Sequence, residues 1–227
     1  VDAPFELNKI LAFVLLGVVA AFVSLYFLKI NKWVSKTFRP WSRTNKVIVG
    51  GIALGVLVYL FPPLFGEGYS ALTDLLNNNP DSMLRNSFFY SYTDNKWLFL
   101  LILLAIIILK AFATSITCVS GGVGGTFAPS LFIGGFCGFF VAKIVNMTGI
   151  ITVAESNFAL VGMAAVMTGV MHSPLTATFL IAEITGGYAL FTPLLIATTI
   201  AYVVVKPLTK YSIYAESLAK QGDLMTH

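Results

Sequence analysis

The chain is 227 residues long, 57% hydrophobic and only 11% charged, with a mean hydropathy of +0.86. An ordinary water-soluble domain carries about 25% charged residues, so this balance excludes one and reads as an integral membrane protein. The formal charge of +4, from 14 Lys+Arg against 10 Asp+Glu, is too small to argue for nucleic acid as a partner. The positives gather instead between the first two apolar runs, at Lys29, Lys32, Lys36, Arg39, Arg43 and Lys46. The positive-inside tendency places that loop on the cytoplasmic side. Lys206, Lys210 and Lys220 place the C-terminus there too, and a bacterial inner or plasma membrane is the expected location. Val1-Asp2-Ala3-Pro4 lacks the basic n-region of a cleavable signal, and without an initiator Met the chain reads as a fragment or processed piece. Cys118 and Cys137 lie in or beside apolar runs without metal-ligand spacing, and both read as small buried hydrophobes. No metal or cofactor is expected.

Ile10 to Leu28 carries no charge and as a helix spans roughly 28 Å, enough for the hydrocarbon core. It is expected to continue as an amphipathic extension through Val34, with Trp33 at the interface. Val47 to Phe61 is shorter, and Gly50, Gly51 and Gly55 give it a small-residue face for close packing. Pro62-Pro63 ends it. Gly66 to Asn95 is polar and is placed outside, with an amphipathic piece over Ala71 to Leu76 and a loop at Asn77 to Asp81. Trp97 to Val119 is the next long run, interrupted only by Lys110, and Phe127 to Val145 follows with Lys143 free to snorkel near its end. Phe158 to Val170 and Leu175 to Ile184 would be one helix but for Met171-His172-Ser173-Pro174. There Ser173 as N-cap and Pro174 at the first helical position predict a fresh start. Gly186-Gly187 closes that half-helix, Leu190 to Val205 forms another run, and Tyr211 to Gln221 reads as a final short helix.

The most informative stretch is Val119-Ser120-Gly121-Gly122-Val123-Gly124-Gly125-Thr126-Phe127-Ala128-Pro129. Its glycines allow positive φ and close approach of the backbone. Pro129 suits the first turn of a helix, and the apolar run to Val145 is long enough to be that helix. A glycine-rich approach to a helix N-terminus leaves backbone N–H groups open at the positive end of the dipole, which favours an anion. Flanked by membrane-grade segments, irregular backbone of this kind is tolerated where it lines a cavity. Half-length helices broken at Gly and Pro are the device by which transporters bring helix ends to the bilayer midplane.

Gly125-Thr126-Phe127-Ala128-Pro129 resembles the GxFxP signature of CLC chloride channels and proton-coupled chloride antiporters. His172-Ser173-Pro174-Leu175-Thr176 with Ala182-Glu183-Ile184-Thr185 resembles that family's penultimate helix pair. Ser212-Ile213-Tyr214 followed by Leu218-Ala219-Lys220 resembles its last membrane helix, which bears an anion-coordinating tyrosine. Order and spacing agree over nearly the whole chain, which is similar to the second of the family's two inverted repeats, helices J to R. The resemblance implies an all-α polytopic fold of eight or nine helices including half-helices, with the membrane repeat over residues 1–221 and the start of a cytoplasmic linker over 222–227. The first repeat's serine motif and gating-glutamate motif have no counterpart here. Gly66-Glu67-Gly68, in the polar loop, is not read as the gate.

What the resemblance implies about function is passage of chloride or a similar monovalent anion, by a channel or by an antiporter coupled to protons, and no enzymatic activity. The backbone at Thr126, Phe127 and Ala128 would hold the anion, Gly124, Gly125 and Pro129 would shape the loop, and the Tyr214 hydroxyl would donate from the intracellular side, with Tyr211 as the substitute. The family is homodimeric, and Phe191 and Leu195 are expected at the interface. Lys110 is open between a positive charge along the anion path and a structural ion pair or snorkelling lysine. His172 reads as a satisfied polar residue at a helix break, and Glu183 as a structural cap or pair. Two other readings stand beside this one: an intramembrane serine hydrolase using Ser120 and His172, and an inactive half-length scaffold.

Overall fold

The computed structural model describes residues 6–77, 95–186, 188–209 and 211–216. Eight α-helices lie wholly within these residues: α1 (Ile10–Phe38), α2 (Arg43–Leu60), α3 (Tyr69–Leu76), α4 (Lys96–Val119), α5 (Phe127–Thr148), α6 (Glu155–Met171), α7 (Pro174–Ile184) and α8 (Phe191–Val205). Helices α1, α2, α4 and α5 are long and apolar enough to cross a membrane. Short polar side chains set two of the starts. Ser42 accepts from the Asn45 N–H ahead of α2, and Asn95 accepts from the Trp97 N–H ahead of α4, each satisfying one donor that a helix leaves open. The loop expected at Asn77 to Asp81 falls outside the described residues from 78 on. Of the final helix expected over Tyr211 to Gln221, residues 213–216 are helical. The boundary at 221/222 lies outside the described residues.

Helix α6 is the centre of the bundle. Every side chain from Ser156 to Val170 is buried, as expected of a helix that is apolar on all sides. It packs on α1, α3, α5, α7 and α8. Its approach to α5 is set by glycine. A Cβ at Gly134 would stand 2.5 Å from the Gly162 carbonyl oxygen, and one at Gly162 would stand 2.8 Å from the Gly138 Cα. Without side chains there, the two backbones come together and gain dispersion contacts that lipid cannot match. A hydroxyl makes the next join: Ser24 on α1 donates to the Val166 carbonyl at 3.1 Å as well as to its own Ala20 carbonyl at 2.7 Å.

Helix α2 is peripheral, with Gly50 alone buried among its residues. Gly50 rests on Ser120, whereas a Cβ at Gly51 or Gly55 would meet nothing within 4 Å. The expected small-residue face therefore reduces to one glycine. The break after α6 is where the sequence places it. His172 takes φ 59°, its N–H donates to the Thr168 carbonyl, and Pro174 opens α7. Ser173 occupies the N-cap position but makes no side-chain cap; its hydroxyl donates back to the Met171 carbonyl at 3.3 Å.

Three further expectations are corrected by packing. Cys137 is buried, but Cys118 is exposed on the last turn of α4. Lys143 does not snorkel freely: it pairs with Glu155 at 2.8 Å, across a turn that Asn146 closes by accepting from the Val153 N–H at 2.7 Å. Glu183 is exposed, and its carboxylate has no ion-pair or hydrogen-bond partner among the described residues.

Candidate functional site

The site is built where α4 ends and α5 begins. Ser120 closes α4, Gly121 turns at φ +87°, and the Gly122 N–H donates to the Thr117 carbonyl at 3.0 Å. A side chain at Gly122 would collide with Thr117, so the reversal needs glycine at both places. Gly124 and Gly125 are exposed, and Thr126 stands at the N-cap of α5 without making a side-chain cap. Pro129 has no N–H. The first-turn donors without an intrahelical acceptor are those of Phe127 and Ala128, at the positive end of a 22-residue helix.

Tyr214 is brought to this point from the far end of the chain. The Thr126 hydroxyl donates to the Tyr214 hydroxyl at 3.3 Å, which leaves the phenolic proton for another acceptor. Thr126 is 8% exposed and Tyr214 52% exposed, so the phenol has one side on Thr126 and the other open. Two contacts hold the turn that carries it. Ser212 accepts from the Ala215 N–H at 3.3 Å, and Glu216 pairs with Lys32 of α1 at 2.9 Å. Nothing in the sequence beyond opposite charge points to that pair.

Beside the start of α5 lies a cavity of about 600 Å³, walled by Leu54, Val58, Leu64, Phe65, Phe127 and Pro129 and reached by Glu67, Lys110 and Cys118. Lys110 is 1% exposed. Its ammonium donates to the carbonyls of Leu64 at 3.2 Å and Gly66 at 2.9 Å and sits 4.4 Å from the centre of the Phe132 ring. It neither snorkels nor forms a contact ion pair among the described residues. It ties the loop after α2 to the middle of α4, and it brings a positive charge to the wall of the cavity.

The other predicted residues stand apart from this arrangement. Phe191 and Leu195 are half-buried on α8, and the Phe191 ring packs on Phe179 and Tyr188 of its own chain. His172 hydrogen-bonds to Thr209 at 2.9 Å and meets the edge of Tyr202. The Ser120 hydroxyl lies against Gly50 and has no hydrogen-bond partner among the described residues. A nucleophile needs a base within hydrogen-bond reach, and these two residues do not make that pair, so the hydrolase reading falls.

Spanning helices, a broken helix pair, a loop tied by a buried lysine and an open helix N-terminus beside a phenol make up a polytopic membrane protein. The family profile described as voltage gated chloride channel matches residues 1–206. The chain belongs to that family, the CLC proteins. It is 31% identical over 187 residues to the voltage-gated ClC-type chloride channel ClcB of Escherichia coli (strain SMS-3-5 / SECEC), covering 81% of this chain and 39% of that one. It is 32% identical over 183 residues to ClcB of Salmonella typhimurium (strain LT2), covering 80% and 38%. Its fold matches the crystal structure of a slow cyanobacterial Cl⁻/H⁺ antiporter with a TM-score of 0.69 at 23% identity, over 95% of this chain and 48% of that one. It matches a CLC-type fluoride/proton antiporter with a TM-score of 0.70 at 21% identity, over 94% and 47%. The chain thus spans less than half the length of each of these relatives.

Proposed function

We propose that the chain is the second membrane repeat of a CLC-type anion transporter, over residues 1–221, with a cytoplasmic linker starting at 222. It passes chloride or a similar monovalent anion and is not an enzyme. The observation that carries this reading is the meeting of Tyr214 with Thr126 at the open N-terminus of α5. There the amides of Phe127 and Ala128 and the phenolic proton converge as partial charges without a full countercharge. Such donors hold a weakly hydrated anion and still release it, as a conducting site requires. Gly124, Gly125 and Pro129 keep the loop open, and Lys110 raises the local potential without touching the ion. The active protein is a homodimer whose contacts include Phe191 and Leu195, and its C-terminus is cytoplasmic.

The test is chloride efflux from liposomes holding the full-length protein, with external pH recorded at the same time. Chloride efflux is expected. Opposing proton movement would identify an antiporter and its absence a channel, while folded protein that moves no anion would overturn the proposal.

A further inference from the structure

A second cavity, of about 280 Å³, opens between the first turn of α2 and the end of α4, lined by Arg43, Lys46, Val47, Val119, Ser120 and Gly121. It is separate from the site at Thr126 and Tyr214. Two cations face it and none of its lining residues is a carboxylate. Arg43 and Lys46 make no ion pair among the described residues, and α2 has no acidic residue in its first turn. Two positive side chains at the positive end of a helix repel the dipole and one another, a cost that an anion between them reverses. The Ser120 hydroxyl on the same wall is turned against Gly50 and has no hydrogen-bond partner among the described residues.

Beyond the cavity mouth the surface turns apolar. Val47 lines the cavity, and Ile48, Ile52, Val56 and Tyr59 continue along the exposed side of α2, each more than half exposed. A cationic socket at the head of a bare apolar helix matches one kind of molecule in both chemistry and layout. We infer that this cavity holds the phosphate of an anionic phospholipid, whose acyl chains lie along α2. Basic pockets between membrane helices on the positive-inside face select such headgroups. Arg43 and Lys46 grip the phosphate oxygens.

The test uses the purified full-length protein, loaded in detergent with dioleoylphosphatidylglycerol or dioleoylphosphatidylcholine, and native mass spectrometry of the lipid retained. Phosphatidylglycerol is expected to stay bound in preference to phosphatidylcholine. Arg43→Gln or Lys46→Gln each lowers retention about fivefold, and the double variant about thirtyfold. The control pair Lys29→Gln/Lys36→Gln, exposed on the same basic stretch but outside the cavity, leaves retention unchanged. A phosphatidylglycerol carrying a photoreactive acyl chain is expected to label α2 around Ile48 and Ile52, a readout that needs no variant. Equal loss in the control pair would overturn the inference. So would labelling elsewhere, or displacement by excess inorganic phosphate with no preference between the lipids, which would mark a site for the free ion.

Discussion

Tyr214 contributes one hydroxyl among several donors, and its worth is that of a hydrogen bond to a charge, about 1.5–3 kcal/mol. Tyr214→Phe removes that proton while keeping the ring. Anion affinity, measured by titration calorimetry on the intact protein, is expected to fall about tenfold or more, with thermal stability unchanged. An affinity unchanged by the substitution would take Tyr214 out of the site. Lys110 differs in kind, because its first duty is to two carbonyls. Lys110→Met strands the oxygens of Leu64 and Gly66 at about 1–3 kcal/mol each. The expected result is a lower melting temperature together with slower anion flux; normal stability with normal flux would assign the ammonium no structural role. The sequence marks Lys110 as a charge in an apolar run, but its partners are backbone carbonyls, which every residue has and no motif announces. Likewise the meeting of Thr126 and Tyr214, 88 residues apart, is not written in either segment. It entered through resemblance, and folding brings the two together.

The helices themselves were legible because their ends are chemically marked. Pro62-Pro63, Pro174 and the glycine stretch before Phe127 lie where the structure breaks, since Pro withholds a donor and Gly admits backbone turns that other residues resist. Less legible was which glycines do the packing. Gly51 and Gly55 look like partners of Gly50 yet face open space, whereas Gly134, Gly138 and Gly162 bring the backbones of α5 and α6 together. Sequence spacing puts small residues on a face but not a neighbour against that face. Gly138→Ala places a Cβ on the Phe158 carbonyl and is expected to cost about 1–3 kcal/mol through overpacking, read as a shift in the detergent-unfolding midpoint. Gly55→Ala meets no obstacle and should be neutral or slightly stabilising, by about 1 kcal/mol at most. Equal effects at the two positions would show that α5 and α6 relax apart at little cost.

At the scale of the molecule, α7 and α8 present apolar side chains outward, including Leu175, Phe179 and Val203, next to the half-buried Leu195. If this surface seats a second copy, Leu195→Trp overfills it at about 1–3 kcal/mol, roughly a fivefold or greater loss in dimer affinity. Light scattering should then show a shift toward monomer, and an unchanged dimer would place Leu195 off the interface. The seat of α6 has a different consequence, one of timing. Its walls come from α1, α3 and α5, which are synthesised before it, and from α7 and α8, which are synthesised after. When α6 leaves the ribosome, the part of its enclosure that α7 and α8 supply does not yet exist. A segment with a polar stripe would have to hide that stripe at once; one that is apolar all round can wait in hydrocarbon. The all-round burial of Ser156 to Val170 thus makes α6 a guest that the bilayer shelters until the last two helices close over it.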